Sequence, residues 1–278
     1  MDVVRTVAEM RDVVAGWRKA GESVSLVPTM GALHDGHMSL VHSVADKADR
    51  TITTIFVNPT QFSPTEDFAI YPRDEARDLS MLEQAGVDLV FTPEMSQMYR
   101  EGHRTKVEVQ ELSQLLEGES RPHFFIGVAT VVAKLLIQSM PDIAIFGEKD
   151  YQQLCVIRAM VRDLDLPVEI LGGGTVRESD GLAMSSRNSY LTNVERTLAP
   201  RLYHEISGVA TRVAKGEPIE IACEDAVQGL DDAGFNSVDY VAVRDAETLE
   251  PAAKGRPLRV LAAAWLGKTR LIDNVAVQ

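Results

Sequence analysis

The chain has 278 residues, of which 45% are hydrophobic and 25% are charged, a balance typical of a globular protein with one large or two smaller domains. The formal net charge of −13 argues against a basic nucleic-acid-binding surface, although a few local cations can still bind ATP in a cleft. The two cysteines, Cys155 and Cys223, lie far apart, which argues against a disulfide framework or a cysteine-based zinc site and fits a reducing cytoplasm.

Short apolar runs alternate with amphipathic segments over the first two-thirds of the chain, which begins without the apolar core of a signal peptide. The predicted strands are residues 24–27, 51–57, 87–91, 143–146 and 168–171. The predicted helices between them are residues 40–48, 74–85, 128–140 and 152–164. The longest apolar run is broken by Lys134, so we expect no membrane span. This alternation predicts an α/β fold with a Rossmann-like, doubly wound parallel sheet, whose ligands bind beyond the carboxyl ends of the strands.

The pattern changes after about residue 175. Helices are predicted near residues 195–215 and 219–233, followed by short strands at 238–243, 258–265 and 270–275. We therefore predict two domains, a Rossmann-like domain over residues 1–175 and a smaller α+β domain over residues 176–278. A polar stretch, residues 177–193, joins them, and the place of residues 184–188 on this linker suggests a lid that closes over bound nucleotide.

Residues 28–37 read Pro-Thr-Met-Gly-Ala-Leu-His-Asp-Gly-His and carry most of the functional information. His34 and His37 fall at a predicted strand-to-helix turn, where free backbone N–H groups and the helix dipole attract anions. Imidazoles in this position suit nucleotidyl transfer from a nucleoside triphosphate. The alternative is a turn with two solvated histidines, but the whole decapeptide after a strand favours phosphate chemistry.

Polar groups also follow the second and fourth predicted strands. Gln61 can hydrogen-bond a substrate, although a single glutamine more often satisfies loop backbone. Residues 147–153 combine a flexible glycine with Lys149, which suits phosphate, Asp150, which suits a ribose hydroxyl, and Gln153. The alternative for this segment is a charged helix start.

Residues 184–188 read Met-Ser-Ser-Arg-Asn, where two hydroxyls and a guanidinium form a dense set of phosphate ligands. The alternative is a solvated serine loop. The sequence has no carboxylate or histidine cluster with metal-cage spacing, so any magnesium is expected to arrive with the triphosphate.

Assembled in this order, the motifs closely resemble those of the pantoate–β-alanine ligases. The matching segments are residues 28–37, 57–62, 71–73, 147–153, 175–178, 180–188, 264–267 and 270–274. The resemblance implies a Rossmann-like domain with a small C-terminal lid domain, a homodimer, and ATP with Mg²⁺. It further implies a pantoyl-adenylate intermediate that β-alanine captures, with release of AMP and pyrophosphate.

The resemblance also implies site residues. It assigns catalysis to His37 as proton donor, to His34 and to Lys149, and it places pantoate on Gln61 and Gln153 with β-alanine also near Gln61. The residues expected to contact ATP are Met30, Gly31, Ala32, Leu33, His34, Asp35, Gly36, His37, Gly147, Glu148, Lys149, Asp150, Val176, Met184, Ser185, Ser186 and Arg187. No metal ligand is assigned, and neither a nucleic acid nor a membrane is expected as a partner.

Two departures fall in the segment expected to cover pantoate. The family usually reads Arg-Pro-Gly-His-Phe where this chain has His123 and Phe124 at the glycine and histidine positions, and Ile137 stands where an asparagine is usual. We expect Phe124 to face the cleft and weaken pantoate binding. The alternative is a loop shifted by one residue, in which His123 occupies the usual imidazole site. A nucleotidylyltransferase that stops at a nucleotide product and a non-catalytic nucleotide-binding relative remain as alternatives to the ligase.

Overall fold

The larger sheet has six strands, all parallel, in a computed structural model that describes residues 1–64 and 66–278. The strands are β1 (Asp2–Val4), β2 (Val24–Thr29), β3 (Arg50–Ile55), β4 (Leu89–Phe91), β5 (Ile143–Gly147) and β6 (Glu169–Gly173). Their order, β1-β4-β3-β2-β5-β6, confirms the predicted Rossmann-like sheet. The short edge strand β1, which pairs with β4, was not predicted.

Seven helices accompany this sheet in the described part of the chain. They are α1 (Val7–Lys19), α2 (Asp35–Val44), α3 (Glu75–Gln84), α4 (Met95–Met98), α5 (Glu117–Ser120), α6 (Phe124–Ser139) and α7 (Tyr151–Asp163). Helix α6 is almost wholly buried, in keeping with its apolar sequence. Helix α2 begins at Asp35 rather than at the predicted residue 40, because the His34 side chain caps its first turn.

The chain order places the strand-order reversal between β2 and β5. From β2 the chain adds β3 and β4 on one side, and β5 and β6 then follow on the other. The loops that leave β2 and β5 therefore diverge and open a crevice at their carboxyl ends, which is where ligands bind in such sheets.

The rest of the chain forms a smaller α+β unit, as predicted. It comprises α8 (Asn193–Leu198), α9 (Arg201–Ala214), α10 (Ile219–Asp232), β7 (Ser237–Asp245), β8 (Leu258–Leu266) and β9 (Thr269–Ala276). Its antiparallel sheet has the order β7-β8-β9 and carries its own apolar core. The single helix predicted over residues 195–215 is two helices, because Pro200 interrupts the backbone hydrogen bonding.

The smaller unit packs over the crevice of the larger sheet. On β9, the Asn274 side-chain amide donates to the carbonyls of Glu148 and Lys149, both at 2.9 Å. Arg270 donates to both carboxylate oxygens of Glu117 at 2.7 Å. Among the described residues, no helix has both the length and the apolar character required to cross a membrane.

Candidate active site

A cavity of about 1220 Å³ lies between the two units, over the carboxyl ends of β2 and β5. It is large enough for a nucleotide together with a small acid. The predicted site residues that line it are Met30, His34, Gly36, His37, Gln61, Gly147, Lys149, Asp150, Gln153, Val176, Met184, Ser185, Ser186 and Arg187. The structure thus brings together in one cavity groups that are widely separated in the sequence.

The histidine pair stands at the start of α2. His34 Nδ1 accepts from the backbone N–H of Gly36 at 3.1 Å, and His37 Nδ1 accepts from the backbone N–H of His34 at 3.4 Å. With Nδ1 acting as an acceptor in both rings, the proton of each neutral imidazole is assigned to Nε2. A Cβ on Gly36 would lie 2.9 Å from His34 Nδ1, so glycine is needed here for the cap to form. The pair can therefore donate two N–H groups from Nε2.

Both histidines are uncharged at neutral pH. Burial, with smaller contributions from the neighbouring His34 and Lys149, lowers the pKa of His37 to about 3. The pKa of His34 is also lowered, first by burial and then by Lys149. In the free protein the two rings therefore supply neutral hydrogen-bond donors.

Lys149 supplies a cation to the same cavity, from the segment that follows β5. It lies in a short 3₁₀ turn, Glu148–Asp150, and its Nζ is 3.9 Å from the Asp150 carboxylate. The hydrogen bonds from Asn274 to the carbonyls of Glu148 and Lys149 hold this turn. Sequence reasoning quoted Asn274 within a motif but did not identify this supporting role.

The two glutamines differ in how much of their hydrogen bonding is already used. Gln61 Oε1 accepts from Asn58 at 3.1 Å, and its Nε2 contacts Met30 Sδ at 3.1 Å, so its amide does not satisfy loop backbone. The Gln153 side chain makes no hydrogen bond to any described residue while it lines the cavity. Gly127 on α6 lets the Gln61 turn approach, since a Cβ there would lie 2.3 Å from the Thr60 carbonyl oxygen.

The serine loop, residues 184–188, contacts the turn that follows β2. Ser186 Oγ donates to the Ala32 carbonyl at 3.1 Å. Arg187 donates through Nε and Nη2 to the two oxygens of Asp67, both at 2.9 Å, which raises the pKa of Arg187 although burial opposes this. Its Nη1 makes no hydrogen bond to a described residue, so it is the guanidinium nitrogen left for a ligand.

Five residues expected to contact ATP do not line the cavity, namely Gly31, Ala32, Leu33, Asp35 and Glu148. The backbone N–H groups of Ala32 and Leu33 both donate to the Asp78 carboxylate at 2.8 Å, so they are not available to a phosphate. The Leu33 side chain is buried in the core. The Glu148 carboxylate pairs with Arg259 at 3.3 Å. Of the residues expected to contact ATP, only those that line the cavity are placed to do so in this structure.

The three residues that depart from the usual family pattern, on α6 and just before it, lie in different surroundings. Phe124 lines the cavity, as expected, and the Arg121 guanidinium carbon lies 3.9 Å from its ring centre. His123 is exposed and lies outside the lining, so it does not replace an imidazole there. Ile137 is 52% exposed and also lies outside, which corrects the expectation that both departures cover the pantoate side.

Sequence reasoning missed the apolar wall of the cavity, to which Phe56, Val128, Val131 and Phe146 contribute. These residues belong to the main core cluster as well. In the sequence they look like ordinary core positions, so no pattern distinguished them as ligand contacts.

The chain is similar to known proteins over nearly its whole length. The family model described as pantoate-β-alanine ligase matches residues 2–276. A pantothenate synthetase from Paramagnetospirillum magneticum is 56% identical over 277 residues, covering 99% of this chain and 98% of that protein. A pantothenate synthetase structure from Thermus thermophilus has a TM-score of 0.94 at 44% identity and covers 100% of this chain and 99% of its own. A pantoate-β-alanine ligase structure from Francisella tularensis, complexed with β,γ-ATP and β-alanine, has a TM-score of 0.85 at 31% identity, covering 99% and 97%.

Proposed function

The chain belongs to the pantoate–β-alanine ligase family, and we propose that it joins pantoate to β-alanine through a pantoyl-adenylate intermediate in the cavity between its two units. It is an ATP-dependent ligase that forms a carbon–nitrogen bond. The observation that carries the proposed route is that the His34–His37 pair, Lys149, Gln61 and Gln153 all line one cavity over the carboxyl ends of β2 and β5. The full-length match favours the ligase over a nucleotidylyltransferase and over a non-catalytic relative.

The first step makes the carboxylate of pantoate reactive. A pantoate oxygen attacks the α-phosphorus of ATP, a P–O bond forms to the acyl oxygen, and the bond to pyrophosphate breaks. Lys149 and the unpaired Nη1 of Arg187 offset the charge that develops on the phosphate oxygens, while the two Nε2–H groups of His34 and His37 donate to those oxygens.

The second step forms the amide. The neutral amine of β-alanine attacks the acyl carbon, and AMP leaves with the oxygen that came from pantoate. The Francisella tularensis ligase was solved with β-alanine and an ATP ligand together, which supports binding of both within one cavity. Alignment of the reactants by Gln61 and Gln153 contributes the proximity that the step needs.

We propose that Mg²⁺ enters with ATP. No group of three potential metal-ligating side chains occurs in the described part of the chain, which supports coordination mainly through the phosphates. When bound, the ion neutralises part of the triphosphate charge.

We further propose a division near residue 175, a homodimer, and a cytoplasmic location, without a nucleic acid or membrane partner. The separate apolar cores of the two units support the division. Two free thiols, Cys155 and Cys223, suit a reducing compartment, and the net charge of −13 disfavours nucleic acid. Light scattering of the purified chain tests the dimer.

Product identification tests the route. The chain is incubated with ATP, Mg²⁺, β-alanine and pantoate that carries oxygen-18 in its carboxylate. AMP and pyrophosphate are expected as products, with the label in AMP. ADP and phosphate would indicate an acyl phosphate instead, and would overturn the adenylate route while leaving the ligase assignment intact.

A further inference from the structure

The turn that leads from β2 to the histidine pair adopts an unusual backbone conformation. Gly31 and Ala32 both have positive φ, +80° and +51°. Glycine adopts such a conformation readily, but alanine does so only where its surroundings hold it there. A Cβ on Gly31 would lie 2.9 Å from Asp78 Oδ2, so the carboxylate sits directly against the turn. Some interaction must therefore hold Ala32 in place, and Asp78 is in contact with it.

Asp78, on α3, is 1% exposed and has no salt bridge to any described residue. Its Oδ2 accepts from the N–H of Ala32 and its Oδ1 from the N–H of Leu33, each at 2.8 Å. A buried carboxylate is costly unless it is well hydrogen-bonded, and these two bonds are charge-assisted. An asparagine could not replace it fully, because its side chain offers one acceptor oxygen where two N–H groups need partners.

The same turn carries three contacts of the site. Before it, Met30 Sδ lies 3.1 Å from Gln61 Nε2. Within it, the Ala32 carbonyl accepts from Ser186 Oγ at 3.1 Å. After it, the chain enters the cap formed by His34, whose N–H donates to the ring of His37. A rotation of the Ala32 peptide would therefore displace groups on several walls of the cavity.

We propose that Asp78 is a positioning residue for adenylation. Its carboxylate holds the turn of residues 31–33 in the left-handed region and so sets the placement of Met30, His34 and Ser186. It does not line the cavity and contacts no substrate. This inference rests on the proposed function, because adenylation is its readout.

A double-mutant cycle tests it. Single-turnover formation of AMP from ATP and pantoate is measured for wild type, Asp78→Asn, Ala32→Gly and the double variant, as the full chain. Asp78→Asn should slow adenylation about 10- to 100-fold, since the turn loses one acceptor and relaxes. Ala32→Gly alone should stay within about threefold of wild type and should restore at least about fivefold in the Asp78→Asn background, because glycine adopts the positive φ without the steric cost that alanine has there.

Each rate is referred to the folded fraction of that variant, so that rescue by Ala32→Gly reports on positioning, because relief of the positive φ at Ala32 changes stability as well as geometry. Asp142→Asn is the matched control. Asp142 accepts from the N–H of Val24 at 2.6 Å, at the opposite end of the same strand β2. The control should lower the melting temperature and leave the adenylation rate of the folded enzyme near that of wild type.

Two outcomes would overturn the proposal: full adenylation by folded Asp78→Asn, or a slow variant that Ala32→Gly fails to improve. If Asp78→Asn does not fold, Asp78→Glu, which moves the charge by one methylene, replaces it in the same cycle with the same expectations. Wild type that makes no AMP with pantoate and ATP would instead count against the proposed adenylate route, so the two failures are distinguishable.

Discussion

We predict that His37 acts as an uncharged hydrogen-bond donor, and that glutamine can partly replace it. The Nε2–H of its ring faces phosphate while Nδ1 accepts from the His34 backbone. A glutamine amide nitrogen reaches close to the position of Nε2 and is neutral at every pH of interest. His37→Ala should slow adenylation by about 10²–10³-fold, the scale for loss of one preorganised donor. His37→Gln should remain within about tenfold of wild type.

The pKa of His37 sets how strongly the free energy of unfolding depends on pH in the absence of ligand. Burial lowers the pKa of His37 from 6.5 to about 3, so between these values the unfolded chain binds a proton that the folded chain does not. Stability is therefore unaffected above pH 6.5 and falls as the pH drops below it. At pH 5 the penalty is about 2 kcal/mol, from 1.5 pH units at about 1.36 kcal/mol each.

Two measurements check this reasoning. Urea unfolding at pH 7.5 and pH 5 should show a loss for wild type that exceeds that of His37→Gln by about 2 kcal/mol. Single-turnover adenylation by wild type should not fall between pH 6.5 and pH 8. Equal loss of stability at pH 5 in the two proteins would show that the pKa of His37 is not lowered. A His37→Gln rate as low as that of His37→Ala, with wild-type activity lost above pH 6.5, would show that the ring acts as a cation.

Four further substitutions test the site. Lys149→Ala should slow single-turnover adenylation about 10²–10³-fold with an unchanged melting temperature, and a near-normal rate would remove its role. Gln153→Ala should raise the pantoate Kd much more than the ATP Kd in calorimetry, and equal losses would mean that the acid binds elsewhere. Gly127→Ala should weaken pantoate binding by displacing the Gln61 turn, whereas unchanged binding would show that α6 shifts to make room for the methyl group. Phe124→His should tighten pantoate binding without altering ATP binding, and a loss of pantoate affinity would contradict the expected unfavourable effect of the phenyl ring.

The fold was largely predictable because buried parallel strands read as continuous apolar runs. The failures have local causes. Strand β1 has three residues, two of them exposed, so its run carries no buried pattern. The start of α2 was placed too late because its cap is His34, and histidine is not among the residues from which helix starts are ordinarily recognised.

The grouping of the predicted site residues around one cavity was easier to predict than their charge states and contacts. The resemblance pointed to His37, Lys149 and Arg187, and the structure places all three around one cavity. No sequence pattern indicates that Arg187 pairs with Asp67, which lies 120 residues away. The uncharged state of His37 depends on burial, which arises only in the folded chain. The hydrogen bonds of Asp78 were not predictable from sequence either, since they join helix α3 to a turn 45 residues earlier in the chain.

The hydrogen bonds from Asn274 have a consequence for the order in which the enzyme is made. The parallel sheet is complete once residue 173 has been synthesised, and domains generally fold as units during synthesis. The turn of Lys149, however, is held by a side chain on β9 that leaves the ribosome about a hundred residues later. A nascent or truncated chain that stops before β9 can thus build the nucleotide-binding half and still lack a fixed lysine. We therefore expect catalytic competence only after β9 has been synthesised, and a chain terminated before β9 should be inactive even where the first sheet has folded.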